Sequence, residues 1–552
     1  MSLRLTHFPA LVGGLVLPLV LAFAAAFAPA AQAEESGGVV PDLAFRACLN
    51  GYLKAAADAP IAADQLTHLT RVDCSDSQIA SIAGAEHLAN LSELYLSGNQ
   101  VSDLAPLSGL TGLTYLYLDD NQVSDLTPLS GLTGLIDLVL GANQVSDLTP
   151  LSGLTDLSNL SFNANQVSDL TPLSGLTGLT ELDFPSNQVS DLTPLSGLTG
   201  LDGLAFGSNQ VSDLTPLSGL TGLVYLAFGS NQVSDLTPLS GLTSLNDLYL
   251  DDNQVSDLTP LSALTDLTIL YLSVNQVSDV APLSGLTGLS YLSFGVNQVS
   301  DLTPLSGLTS LSHLALGNNQ VSDLTPLSGL TSLIGLSLDG NQILDLTPLD
   351  PIDREGFGLG AGMQEAVWTV DPGTYPWPIS QLTGNDSPLT LKIVSGDDIA
   401  VIDSDAHSVS FSAPGAVELA WTASRYPSPD YTYFNGRLTV TVAGETTPTP
   451  TPEPSESVVP EPSGSPEPTL SPVPEPSESA VPEPSDSPQP TPSADASVSP
   501  QPSEPTPPAE IGLPSTGAAA SLRLAAWALF AFGLGLVCFG SGLLTSSYGR
   551  RR

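Results

Sequence analysis

Basic residues are scarce in this chain of 552 residues. Lysine and arginine together number 12, against 57 aspartate and glutamate residues, so the formal net charge is -45 at pH 7. A protein this acidic is repelled by phosphate backbones and by anionic lipid surfaces. We therefore exclude nucleic acid as a partner, and we expect membrane contact only through an apolar segment near the C-terminus.

Histidine and cysteine, the residues that most often build catalytic and metal sites, are also rare. The chain has 5 histidines and 3 cysteines, and none of their spacings fits a zinc site. It also lacks the glycine-rich motifs that hold phosphates or dinucleotides. We therefore predict a protein that is not an enzyme and that needs no metal and no cofactor.

In place of these features, a unit of 22 residues repeats from residue 69 to residue 350, in about 13 copies. One copy, residues 110–131, reads LTGLTYLYLDDNQVSDLTPLSG. A fixed period of this length is typical of a stacked solenoid, and L-x-x-L-x-L-x-x-N is the core pattern of a leucine-rich repeat. One asparagine recurs at the same position of the regular copies: Asn99, Asn121, Asn143, Asn165, Asn187, Asn209, Asn231, Asn253, Asn275, Asn297, Asn319 and Asn341.

A single copy shows how the unit should fold. Leu116 and Leu118 alternate with two tyrosines, which predicts a short parallel strand with leucines inward and tyrosines outward, on a concave face. The recurring asparagine should pair with the backbone of its own copy and of the neighbouring copy, forming a ladder. Pro128 cannot donate a hydrogen bond, so the return segment should be a 3₁₀-like turn. Stacked copies bury one continuous leucine core, which no copy could bury alone.

The segment before the repeats, residues 34–68, contains an amphipathic helix that opens near Pro41. We predict that this helix caps the N-terminal end of the solenoid. Cys48 on its inward face and Cys74 at an inward strand position could form a disulfide in an exported chain, contributing roughly 3 kcal/mol. Two buried free thiols are the alternative.

The segment after the repeats, residues 351–444, loses the period and gains alternating apolar runs separated by glycine, proline and aspartate. This pattern predicts short strands and an immunoglobulin-like β-sandwich. The runs are Leu389–Val394, Ser408–Ser412, Ala416–Trp421 and Arg437–Val442.

Both ends of the chain carry segments typical of export. Residues 1–33 have a basic start, an apolar run and an Ala-x-Ala site, and should be a signal peptide. Residues 445–512, rich in proline, serine and glutamate, cannot form a core and should be an extended linker that spans the cell wall. Apolar residues 518–544 are long enough to cross a bilayer, with a basic cytoplasmic tail at 545–552. The pentapeptide that precedes this segment, residues 513–517, consists of Leu513, Pro514, Ser515, Thr516 and Gly517.

The order of pentapeptide, apolar segment and arginines resembles the sorting signal of Gram-positive cell-wall-anchored proteins. In that family a sortase cuts between threonine and glycine, so the resemblance implies covalent attachment of Thr516 to peptidoglycan. With its signal peptide, cap, repeats, β-sandwich and linker, most of the chain resembles the internalin family of bacterial surface proteins. Internalins bind host receptors through their concave faces. The resemblance therefore implies a secreted, wall-anchored binding protein, without identifying a receptor.

Outward strand positions vary from copy to copy, and only they can specify a partner. Two clusters, which we call the first and second tyrosine groups, contain aromatic residues with acids among them, whereas the copies between them are blander, with Gly203 and Ala205. Rigidly held tyrosines suit protein interfaces or sugar stacking, and the acids predict a partner that is basic or rich in hydroxyls. The candidate binding residues are Tyr95, Tyr115 and Tyr117 in the first group, and Tyr225, Tyr249, Ile269, Tyr271 and Tyr291 with Asp247 and Asp251 in the second.

The leading hypothesis is an interaction protein or adhesin that binds a host or bacterial surface protein, or a glycan. A carbohydrate-binding module, or an architectural wall protein with merely solvated tyrosines, is the alternative.

His313, with Ser337 and Asp339 on the next copy, could be arranged as a triad, but an open strand face offers no pocket and no oxyanion hole. The aspartates that recur from Asp103 to Asp345 precede turns and should cap backbone N–H groups rather than bind metal.

Overall fold

The structure, a computed structural model, describes residues 38–353, 357–380, 389–424 and 433–444. The predicted signal peptide, cell-wall linker, sorting pentapeptide, apolar segment and basic tail lie outside the described residues. Across the four described ranges, no helix combines the length and the apolar character needed to cross a membrane.

Two helices precede the first repeat strand: α1, Leu43–Leu53, and α2, Ala63–Leu66. Helix α1 begins after Asp42, because the carboxylate of Asp42 accepts hydrogen bonds of 2.9 Å from the amides of Ala44 and Phe45. The same carboxylate accepts hydrogen bonds of 3.1 Å from the amides of Ala80 and Ser81. One side chain therefore caps the helix and ties it to the first copy.

The inward face of α1 joins the core of the repeats. Phe45 and Leu49 are fully buried, and a disulfide joins Cys48 to Cys74, with the Cα atoms 5.8 Å apart. The helical pattern also places Tyr52 on this face, but Tyr52 is 40% exposed and its hydroxyl hydrogen bonds with the backbone of Asp73. Burial, hydrogen bonds and a covalent bond thus connect the helix to the first copy.

Thirteen short strands follow at one per copy, and each pairs in parallel with the next. They are β1 Arg71–Asp73, β2 Glu93–Tyr95, β3 Tyr115–Tyr117, β4 Asp137–Val139, β5 Asn159–Ser161, β6 Glu181–Asp183, β7 Gly203–Ala205, β8 Tyr225–Ala227, β9 Asp247–Tyr249, β10 Ile269–Tyr271, β11 Tyr291–Ser293, β12 His313–Ala315 and β13 Gly335–Ser337. The outward side chains of β1–β13 and of the residues that follow each strand form the surface that we call the concave face.

A 3₁₀ segment returns the chain in each copy, as the recurring proline predicts, and the first copy forms one without that proline. These segments are Ala85–His87, Ala105–Leu107, Thr127–Leu129, Thr149–Leu151, Thr171–Leu173, Thr193–Leu195, Thr215–Leu217, Thr237–Leu239, Thr259–Leu261, Ala281–Gly285, Thr303–Gly307, Thr325–Leu327 and Thr347–Leu349. Between strands and turns the inward leucines are buried from the first copy to the last. The parallel leucine-rich-repeat solenoid is confirmed.

The predicted asparagine ladder is confirmed, and Asn209 shows a typical rung. Its Nδ2 donates to the backbone oxygens of Phe184 and Phe206 at 3.1 and 3.0 Å. Its Oδ1 accepts a hydrogen bond of 2.9 Å from the amide of Val189 in the preceding copy. Each rung therefore satisfies buried backbone groups of two adjacent copies at once.

The ladder ends on a glutamine. Gln364 is fully buried, its Oε1 accepts from the amide of Ile343 at 3.0 Å, and its Nε2 donates to the oxygen of Leu338 at 2.9 Å. Gln364 lies one residue beyond the position at which the period would place an asparagine after Asn341. The longer side chain thus takes the role of the asparagine where the period breaks.

The recurring aspartates cap the turns, as expected. In one copy the carboxylate of Asp125 accepts a hydrogen bond of 2.8 Å from the amide of Thr127, and other copies repeat this bond. Hydrogen bonds from Thr127 lower the pKa of the Asp125 carboxyl. The column is therefore explained by turn geometry.

The residue before each ladder asparagine has a left-handed backbone conformation in most copies. Small or polar residues usually occupy it, such as Asp120, Ser208 and Asn318, with φ of 54°, 55° and 56°. Two adjacent copies instead place Val274 and Val296 there, with φ of 57° and 55° and exposures of 44% and 47%. A β-branched residue is strained in this conformation.

Seven further strands follow the repeats: β14 Gly358–Val370, β15 Gly373–Pro376, β16 Thr390–Ser395, β17 Ala400–Asp403, β18 Ser408–Phe411, β19 Gly415–Ser424 and β20 Tyr433–Val442. Strand β14 pairs with β13 at its start and with β20 beyond it, so the repeat sheet continues in the order β14-β20-β19-β16. A second sheet, β15-β18-β17, is antiparallel. Trp368 of the first sheet contacts Tyr375 and Phe411 of the second, with ring centroids 5.3 and 6.1 Å apart. The sequence predicts four of these strands but misses β14, β15 and β17.

Candidate functional site

Pairing in register divides the concave face into columns of equivalent positions. One column contains the first residue of each strand and another the third. Because neighbouring strands lie about 4.8 Å apart, rings in adjacent copies can stack. Around the second tyrosine group the first column contains Tyr225, Asp247, Ile269, Tyr291 and His313, and the second contains Ala227, Tyr249, Tyr271 and Ser293.

Three tyrosines of the second group form a continuous chain of rings. The ring centroids of Tyr225 and Tyr249 are 5.6 Å apart, and those of Tyr249 and Tyr271 are 5.1 Å apart with nearly parallel planes. Burial raises the pKa of Tyr225 to about 12, with a smaller contribution from nearby carboxylates, and burial also raises the pKa of Tyr249. The hydroxyls of these three tyrosines make no hydrogen bond to another residue in the part of the chain that is described.

Tyr291 belongs to a different pair. Its ring stacks on the ring of His313 at 4.6 Å, with an interplanar angle of 6°. Burial lowers the pKa of His313, which favours its neutral ring. The second tyrosine group therefore divides into a chain of three rings and a separate pair that includes a histidine, with Ile269 beside Tyr291 in the strand register.

Half-buried carboxylates accompany the rings. Burial raises the pKa of Asp251 to about 6, although the amide of Ser273 donates to it at 2.8 Å. Burial also raises the pKa of Asp247. Asp183, which sequence reasoning does not single out, behaves like Asp251: burial raises its pKa to about 6, against a hydrogen bond of 3.2 Å from Ser161. The sequence indicates Asp183 only as an acid at an outward strand position, next to a copy whose outward residues are all small.

The first tyrosine group is engaged in contacts within the chain. The guanidinium of Arg71 lies 4.4 Å from the ring centroid of Tyr95, and Tyr95 stacks on Tyr117 at 4.8 Å. The hydroxyl of Tyr117 donates to the carboxylate of Asp137. Tyr115 lies in the other column, with 36% of its surface exposed. The structure thus brings two of the three predicted tyrosines together and fixes them with charged neighbours.

The possible triad does not assemble as hydrogen bonds. Nδ1 of His313 lies 3.0 Å from the hydroxyl of its neighbour Ser312, while the hydroxyl of Ser337 donates to Asp339 at 3.3 Å. Among the described residues, no three histidine, cysteine, aspartate or glutamate side chains are grouped to hold a metal ion. What the concave face offers is a rigid surface of rings and carboxylates.

Comparison with known proteins identifies the family. A model of leucine-rich repeats in two copies matches residues 89–131 and 265–307, and no curated protein matches the sequence. The solved functional domain of InlJ from Listeria monocytogenes, 22% identical, covers 75% of this chain and all of its own length with a TM-score of 0.55, which shows a shared fold. An internalin (inlF) from the same organism is 37% identical, with a TM-score of 0.57 over 58% of this chain and 95% of its own. The chain therefore belongs to the internalin family of leucine-rich-repeat proteins.

Proposed function

We propose that this chain is a cell-wall-anchored, non-enzymatic surface protein that binds a partner protein through its concave face. The internalin-like repeat fold suggests protein–protein interaction, and the internalins it resembles are bacterial surface or secreted proteins. The N-terminal signal peptide directs export, and the C-terminal sorting sequence directs covalent attachment to peptidoglycan at Thr516. The proline-rich linker holds the repeats away from the membrane.

The observation that carries this proposal is the chain of rings formed by Tyr225, Tyr249 and Tyr271. Rigid aromatic side chains with polar tips are the residues that most often supply binding energy at protein interfaces. These rings contact one another across three copies, so little side-chain entropy is lost when a partner covers them. In the first tyrosine group, by contrast, Tyr95 already contacts Arg71 and Tyr117 hydrogen bonds to Asp137.

The flanking elements keep the ends of the repeat core out of water. Helix α1 covers the N-terminal copy, and β14 extends the repeat sheet into a β-sandwich of immunoglobulin type at the other end. Such caps prevent edge-to-edge association and hold the spacing of the binding face. We assign them a supporting role.

The proposal is tested on the full chain produced in a sortase-positive Gram-positive host. The wild-type protein should be recovered with peptidoglycan fragments after the wall is digested; recovery from the membrane or the medium would contradict wall anchoring. Such cells should capture surface proteins of a host cell, and changing Tyr249→Ala together with Tyr271→Ala should reduce capture at least tenfold without lowering the melting temperature.

The matched control changes Tyr95→Ala and Tyr117→Ala, which removes two stacked rings from the first tyrosine group of the same face. This variant should keep its binding. If the control pair abolished capture and the test pair did not, the site would lie at the N-terminal end. Binding to a glycan array without capture of protein would replace the protein partner with a carbohydrate.

A further inference from the structure

Lysine and arginine are both absent from the sequence between Val72 and Asp353. At the concave face, Arg71 at the N-terminal end pairs with Glu93. The carboxylates of the central copies consequently have no cationic side chain of the repeats to neutralise them. Half-buried carboxylates without a counter-charge reduce stability, so their presence calls for a cation supplied from outside the repeats.

Carboxylates flank β7, the strand with the smallest outward side chains: Glu181 and Asp183 lie on the adjacent strand β6, and Asp247 lies on β9, beyond Tyr225 of β8. The outward residues of β7 are Gly203 and Ala205, and the Cγ of Glu181 lies 3.5 Å from the place that a Cβ at Gly203 would occupy. Burial raises the pKa of Tyr225, on the following strand, and the negative charges of Asp183, Asp247 and Glu181 raise it further. Side chains from both neighbouring strands therefore surround a floor of backbone and one methyl group.

This arrangement matches the shape and charge of a long cationic side chain. An aliphatic stem can lie on the bare strand and against the face of Tyr225, where a cation is also attracted to the ring. The head group can then reach the carboxylate of Asp183, and Asp247, on the far side of Tyr225, adds negative charge nearby. A neutral sugar would fill the same space but would leave the charges without a counter-ion.

We propose that the concave face from β6 to β9 binds a lysine- or arginine-bearing segment of a partner protein, with the cationic side chain seated over Gly203 between Asp183 on one side and the ring of Tyr225 on the other, and with Asp247 beyond that ring. This inference rests on the proposed function and adds the chemical class of the partner surface. It also assigns a role to copies that lack large side chains: they provide access for the partner backbone.

The test uses the purified full chain and a fluorescein-labelled peptide of alternating glycine and lysine, ten residues long. Anisotropy is recorded at about 150 mM salt, where the Debye length of about 8 Å screens distant charges. Asp183→Asn combined with Asp247→Asn should weaken binding at least tenfold. The same peptide with its lysine amines acetylated should bind no better than that variant.

The control combines Asp156→Asn with Asp266→Asn, which removes the same charge from exposed positions of the repeats. It should change binding less than twofold. Equal losses in the two variants would indicate diffuse attraction to an acidic protein and would overturn the proposal, as would undiminished binding in both or strong binding of the acetylated peptide. Any of these contradicting outcomes, together with loss of partner capture in the Tyr249 and Tyr271 variant, would refute only the cation site. The proposed function would then stand.

Discussion

Replacing Asp183 with asparagine should stabilise the protein, and the gain should depend on pH. Asp183 is half-buried on β6, and burial raises its pKa from 3.8 to about 6. Each tenfold change in proton affinity corresponds to about 1.36 kcal/mol, so ionised Asp183 destabilises the fold by up to roughly 3 kcal/mol. Asparagine keeps the shape and the acceptor for the Ser161 hydroxyl without the charge.

The pH dependence of this gain follows from the protonation of Asp183 in the folded and in the unfolded chain. Below pH 3.8 the carboxyl is neutral in both the folded and the unfolded chain, and its stabilising contribution is fully present. As the pH rises towards 6 the unfolded chain ionises first, so the contribution is progressively lost. The Asp183→Asn variant should therefore be more stable than the wild type by about 2 to 3 kcal/mol at pH 7.5, and the difference should vanish near pH 4.

The assay is urea unfolding of both proteins between pH 4 and pH 7.5, followed by circular dichroism. Asp191→Asn in the same copy is the matched control, because hydrogen bonds from Thr193 lower the pKa of Asp191. A lowered pKa contributes stability above the unfolded value that is lost as the pH falls. This control should thus be less stable than the wild type at pH 7.5, the opposite sign. An Asp183→Asn variant that is less stable at pH 7.5, or an offset that does not change with pH, would refute the reasoning.

Two further predictions concern stability. Asn209→Ala removes three donated bonds and leaves the buried amide of Val189 unsatisfied, so urea unfolding should show a loss of roughly 3 to 4 kcal/mol. The adjacent, exposed Gln210→Ala should change stability by less than about 0.5 kcal/mol, and a loss below about 1 kcal/mol in Asn209→Ala would contradict the ladder's role. Val296→Asn should raise stability by about 1 kcal/mol, because asparagine tolerates the left-handed conformation. Val224→Asn, a similarly exposed valine without positive φ, should bring no gain; equal gains at both sites would argue against backbone strain.

Much of the solenoid is predictable because its causes are local and repeated. The alternation around Leu116 predicts a strand, the proline of the return segment excludes a second one, and the asparagine at the strand end accounts for a ladder. The same residues recur in each regular copy, so the structure expected for one copy applies to the others. The same logic explains the aspartates of the turns, whose spacing suggests a column of metal ligands but whose hydrogen bonds close the turns.

The prediction breaks down where structure depends on a neighbour. Strand β14 begins with alternating glycines, which have low strand propensity, yet Gly358 and Gly360 extend the sheet because β13 offers them an unpaired edge. The ladder likewise continues one residue out of period, on Gln364, because a longer side chain reaches the same backbone groups. Neither feature can be predicted from the local sequence pattern.

The same dependence on neighbours explains why the site was only half predicted. Tyrosines at outward positions are visible in the sequence, but the open strand beside Tyr225 is formed by Gly203 and Ala205, two residues that suggest no function by themselves. The two effects expected of Asp183→Asn, on binding and on stability, combine into a sharper criterion: a carboxylate that serves only the fold should not make the protein more stable when it is neutralised. If Asp183→Asn raises stability and weakens binding of a cationic peptide, the charge is retained for the partner, since mutation to a neutral residue would otherwise improve the chain.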